Sequence, residues 1–126
     1  MIRFTTLFCT VLFFLTAPAQ TFAEETGWLT GDKALAAFRK LEGQGKMPTR
    51  VQCRDSNKRG LDFWETEYNI TVAKRPAGLQ YYWGVGNFYG STKLKAEKQG
   101  YRQVSLSQYK RKKSGLVVRC AIWHKG

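Results

Sequence analysis

The strongest constraint on this chain is a spacing that recurs. Residues 43–54 read GQGKMPTRVQCR and residues 98–109 read KQGYRQVSLSQY. In both, Gln-Gly precedes an extended-looking run, and a second glycine follows at one distance: Gly45 to Gly60, and Gly100 to Gly115. Sliding the sequence against itself by 55 residues, without gaps, pairs residues 28–70 with 83–125. The identities are Trp28/Trp83, Gly31/Gly86, Lys40/Lys95, Glu42/Glu97, Gln44/Gln99, Gly45/Gly100, Lys58/Lys113, Gly60/Gly115 and Leu61/Leu116. Val51/Leu106 and Tyr68/Trp123 are conservative matches. Glycines and tryptophans are the turns and anchors of a fold, so their recurrence points to tandem supersecondary units.

Each unit reads alike. A tryptophan-bearing strand or turn comes first (GWLTG; LQYYWGVG). In the first unit Ala34, Leu35, Ala37, Phe38 and Leu41 fall at helical spacing. Thr30 or Asp32 can cap that helix, and Gly43 or Gly45 ends it. The second helix is weaker, with Phe88, Tyr89 and Ala96 as its apolar candidates and Gly90 interrupting them. Two strands joined by a polar turn follow. Val104 and Leu106 alternate with polar residues, QYKRKKSG turns the chain, and Leu116, Val118, Cys120 and Ile122 alternate on the return. The first unit has Val51 and Cys53, then RDSNKRG, then Leu61 and Phe63. The expected class is α+β: two tandem β-α-β-β repeats, about 27–73 and 79–126, joined by KRPAG at 74–78. Neither unit covers its apolar face alone, so the two should pack together.

The first 23 residues, MIRFTTLFCTVLFFLTAPAQTFA, read as a secretory signal peptide: Arg3, an apolar run from Leu7 to Leu15, then small residues. Cleavage after Ala19 or after Ala23 fits. The run is too short to span a bilayer, and Phe8 is too bulky to precede a lipidated Cys9. Residues 24–126 are then a single exported domain, periplasmic or secreted, with no transmembrane segment. It retains two cysteines, Cys53 and Cys120, which in an oxidising compartment imply one disulfide. Closing so long a loop would stabilise the fold by about 4 kcal/mol on the chain-entropy model.

GYRQVSLSQY followed by GLVVRCAIWHK resembles a tandem repeat of bacterial secreted proteins that also occurs beside the catalytic domain of polyglycine hydrolases. The matching residues are Trp83, Gly100, Tyr101, Arg102, Val104, Tyr109, Gly115, Ala121 and Trp123. The resemblance covers 83–125 directly and 28–70 only through the internal repeat. Lys46 and Met47 stand where the repeat has Tyr-Arg, and the cysteine pair is not part of it. The resemblance implies an accessory module, with no chemistry of its own.

The residues agree with that. His124, the only histidine, sits beside Lys125 at a strand end, a poor place for a catalytic base. No metal-ligand spacing is present, and no cofactor is expected. Glu65 and Glu67 read as neighbours on a charged strand face rather than a glycosidase pair. GVGNFYG at 84–90 lacks the spacing and the βαβ context of a phosphate loop. Asn69-Ile70-Thr71 matches a glycosylation acceptor, which matters only in a eukaryotic host. A non-enzymatic protein is expected.

The net charge is +12, and attraction to an anionic partner follows. Lys110, Arg111, Lys112 and Lys113 occupy the second hairpin tip, and Arg54, Lys58 and Arg59 the first. Lys93, Lys95 and Lys98 lie on the helix between. These tips would grip phosphates, sulfates or carboxylates, with Tyr81, Tyr82, Tyr89, Tyr101 and Tyr109 available to stack on sugars or bases. The expected function is binding of an anionic envelope or surface polymer, such as polysaccharide or lipopolysaccharide. The alternative is a protein-interaction module: an inhibitor of a secreted enzyme, an effector or an accessory subunit. Nucleic acid is compatible with the charge, but no motif supports it.

Overall fold

The computed structural model describes residues 23–58 and 65–126. The expected leader therefore lies outside the described residues, as do Arg59, Gly60, Leu61 and Phe63. The elements are β1 (Glu24–Leu29), α1 (Gly31–Gly43), β2 (Lys46–Asp55), β3 (Thr66–Lys74), β4 (Gln80–Val85), a 3-10 turn (Gly86–Phe88), α2 (Tyr89–Lys98), β5 (Arg102–Lys110) and β6 (Val117–Lys125). This is a mixed α+β domain with two three-stranded sheets, two helices and one disulfide. Strand orders are β1-β3-β2 and β4-β6-β5, and all neighbours are antiparallel.

Local signals explain the helix ends. Thr30 holds the N-cap position in an extended conformation, and its carbonyl accepts from the Ala34 N–H at 2.8 Å; its side chain makes no cap bond. Both helices stop at a glutamine followed by a glycine in the left-handed region, Gly45 (φ 62°) and Gly100 (φ 81°). That conformation crowds a Cβ against the backbone, so glycine ends a helix there readily. Each following strand then carries an irregularity near its start, between Pro48 and Arg50 and between Gln103 and Ser105.

The main core draws on both sheets. Ala34, Phe38 and Leu41 of α1 pack with Val51, Tyr68, Ile70 and Val72 of the first sheet and with Val85, Cys120 and Ile122 of the second. Phe38 stacks on Trp83, with ring centroids 4.2 Å apart and planes 5° from parallel. The Cys53–Cys120 disulfide joins β2 to β6, with Cα atoms 6.4 Å apart. On the other face of the second sheet, Ala121 and Trp123 pack with Ala96 of α2 and with Tyr82, Tyr89 and Tyr101. Helix α2 sits so close to β4 that a Cβ on Gly84 would lie 2.8 Å from the Thr92 Cβ.

Three expectations need correction. Val104 and Leu106 face outward, while Ser105, Ser107 and Tyr109 face the core side. The cause is the edge of β2. The N–H groups of Val51 and Cys53 point away from β3 and donate to the hydroxyls of Ser105 and Ser107, each at 3.1 Å. Buried N–H groups left unpaired would cost about 1–3 kcal/mol each, so two short hydroxyl side chains outrank two aliphatic ones there. His124 is partly buried rather than a free strand end. Its Nε2–H donates to the Pro48 carbonyl at 2.7 Å, a third polar tie between the sheets. Phe88 and Leu116 are mostly exposed and contribute no core. The described return strand of the first half runs from Thr66 to Lys74, and the expected Leu61 and Phe63 lie outside the described residues.

Candidate functional site

The end of β2 and Glu65, which flank the first hairpin turn, meet the second hairpin tip at one end of the molecule. Asp55, at the end of β2, accepts from its own loop at the Asn57 N–H (2.7 Å) and across the junction from the Lys112 N–H (3.2 Å). The Asn57 N–H, opposed by partial burial and helped by the Lys112 N–H and charge, holds the Asp55 carboxyl below the usual range. Arg111 reaches Glu65 at 3.1 Å, and its side chain is only 10% exposed. Arg54 pairs with Glu67 at 3.3 Å and lies 4.0 Å from the centre of the Trp28 ring.

These contacts sort the expected anion-binding residues into two groups. Arg54 and Arg111 hold structure: each engages a carboxylate, and Arg111 is buried beneath the tip. Lys58, Lys110, Lys112 and Lys113 are exposed, and their ammonium groups make no ion pair among the described residues. Asp55, Glu65 and Glu67 are all occupied internally. The described surface left at this end is cationic and uncompensated by those three acids.

The tyrosines expected to stack on a ligand are not exposed at this tip. Tyr109 turns inward, and its hydroxyl lies 2.6 Å from Thr66 Oγ1, a buried threonine. Tyr89 packs on Trp123. Tyr82 and Tyr101 gather at the opposite end of β5 and β6, rings 4.6 Å apart. Their hydroxyls donate to Gln99 (3.2 Å) and Gln80 (2.8 Å), and Lys95 and Lys125 lie 5.4 and 5.6 Å from the two ring centres. The sequence reading treated lysines and tyrosines as one composite surface. The fold separates a lysine tip from a tyrosine–glutamine–lysine cluster. Only the alternation of β5 hinted at this, since it puts Tyr109 on the side of the two serines.

Among the described residues, no three His, Cys, Asp or Glu side chains gather to hold a metal ion. No helix there is long and apolar enough to cross a membrane. No known protein family, curated protein or solved structure matches the chain.

Proposed function

We propose that the chain is a small exported binding module for an anionic envelope or surface polymer, and that its two halves are copies of one β-α-β-β unit. The lysine tip carries the binding reading: Lys58, Lys110, Lys112 and Lys113 project at the end where every described carboxylate is already engaged. A polymer of repeating sulfate, phosphate or carboxylate groups would meet four exposed cations with little competing charge from the described acids. The disulfide supports export, since such bonds persist in oxidising compartments. The shared helix endings and strand irregularities support a common unit.

The test is binding of dextran sulfate and of lipopolysaccharide at low and near-physiological salt, with wild type beside a Lys110→Ser, Lys112→Ser, Lys113→Ser variant. Arg111 is left intact because it holds the tip together. Binding that survives near-physiological salt in wild type and falls at least about tenfold in the variant supports the reading. Equal weak binding by both proteins contradicts it.

One observation favours the protein-interaction alternative. Leu106 and Val117, on the α2 side of the second sheet, are 49% and 48% exposed. A partner seated there would bind without salt sensitivity and be lost on Leu106→Ser.

A further inference from the structure

Strand register makes the two halves comparable position by position. Pro48 pairs with Val72 just before the irregularity in β2, and Gln103 pairs with Trp123 just before that in β5. Val72 and Trp123 thus hold matching places. Their neighbours across the sheet are Glu24 on β1 and Tyr82 on β4. Two residues before Pro48 and Gln103 stand Lys46 and Tyr101. Three rings in the second half therefore correspond to Glu24, Lys46 and Val72 in the first.

The groups around those rings are retained. Gln99, which accepts from the Tyr82 hydroxyl, caps α2 as Gln44 caps α1. Lys95, over the Tyr82 ring, stands four residues before that cap, as Lys40 does in α1. Lys125, over Tyr101, has the register place of Lys74. Where the second half is filled, the first is open. A groove of about 420 Å³ is bordered by Glu24, Gln44, Lys46, Val72 and Lys74. An adjoining lobe of about 250 Å³ reaches Lys40 over an apolar floor of Ala37, Leu41 and Ile70.

We propose that this groove binds a tyrosyl side chain supplied by another polypeptide. The second half shows the chemistry the frame accepts: a ring against the sheet, a lysine over its face, a glutamine oxygen for its hydroxyl. A cation over a ring is attracted by the negative face of the π-system, and the phenol donates to an amide oxygen. Among the described residues only the Glu24–Lys46 pair intervenes at the mouth, at 3.2 Å, with side chains 68% and 38% exposed; such a pair contributes little and opens readily. The source is a polypeptide because the groove runs beside β1, an edge strand. A segment added along that edge would set a side chain beside Glu24, which holds the register place of Tyr82, within reach of the groove. This inference is independent of the lysine tip.

The experiment is an NMR amide titration of the purified protein with three probes: the blocked tripeptide Thr-Tyr-Thr, its phenylalanine counterpart and p-cresol. The proposal expects shifts at Lys40, Gln44, Lys46 and Val72, with the tyrosine peptide at least about threefold tighter than either other probe. Gln44→Ala should remove the preference for tyrosine over phenylalanine while leaving phenylalanine binding in place. Glu24→Tyr with Lys46→Tyr should fill the groove and abolish the shifts; if that variant does not fold, the Gln44→Ala comparison decides. No shifts, shifts confined to the Tyr82–Tyr101 cluster, or p-cresol binding as tightly as the tyrosine peptide would overturn the proposal.

Discussion

Helices α1 and α2 end alike and live differently. Both stop at Gln-Gly with a left-handed glycine, and both precede a strand with an early irregularity. Yet α1 buries Ala34, Phe38 and Leu41 in a core shared with the second sheet, while α2 buries only Ala96 along its length. Termini are set by local backbone chemistry and recur wherever the same residues recur. Faces are set by what each helix packs against. The first sheet brings β2 onto the inner side of β5 and β6, and α1 is enclosed with it. Helix α2 lies on the outside and closes only a small aromatic cluster.

Several substitutions would break or sharpen that contrast. The largest effect belongs to the tie between the halves. Replacing Cys53 and Cys120 with serine should lower stability by about 4 kcal/mol, read as an earlier urea midpoint. A loss under about 1 kcal/mol would mean that packing and the serine contacts alone hold β2 against β6.

The same deletion on the two helices comes next. Leu41→Ala on α1, where the side chain is 5% exposed, should cost about 2–5 kcal/mol. Leu94→Ala on α2, where it is 62% exposed, should stay within about 0.5 kcal/mol. Similar costs at the two sites would erase the distinction between an enclosed and a flanking helix.

Gly84→Ala addresses the outer helix alone. The added methyl group meets Thr92, so α2 must move off β4 at about 1–3 kcal/mol. Hydrogen exchange should speed up in α2 and around Trp123 while the α1 core keeps its protection.

The smallest effect is at the junction between Asp55 and the second hairpin tip. Because the folded Asp55 carboxyl titrates below its ordinary value near 3.8, its contribution is present above that value. It is lost as pH falls through the lower folded value. Asp55→Asn should cost about 1 kcal/mol at pH 7 and flatten the acid limb of the stability profile below about pH 4. An unchanged acid limb would mean that the Asn57 and Lys112 N–H groups do not hold the Asp55 carboxylate.

Much of the fold could be read from residue patterns, and the reasons are local. Helix α1, its end between Gly43 and Gly45, a linker near 74–78 and the cysteine pairing follow from periodicity, turn chemistry and arithmetic. The orientation of β5 did not, because Ser105 and Ser107 serve the backbone of a strand half the chain away. Pattern reading ranks residues by hydrophobicity and cannot see an unpaired N–H across a gap. The ungapped alignment also overreaches at its ends. Trp28 stands opposite Asn69 and is partly exposed, whereas Trp83 stands opposite Ile122 and stacks in the core. Tyr68 and Trp123 are likewise out of register, since the place of Trp123 is taken by Val72. At the lysine tip the charge was legible but its division was not. Arg111 and Lys112 are neighbours in a basic run, and only the fold shows that one is buried on Glu65.

The most direct test of the lysine tip is competitive acetylation of lysines, read by mass spectrometry, with and without dextran sulfate at near-physiological salt. The account predicts protection of Lys58, Lys110, Lys112 and Lys113, with Lys33, Lys93 and Lys98 still reactive. Protection spread evenly over all of these, or absent from the tip, would contradict it.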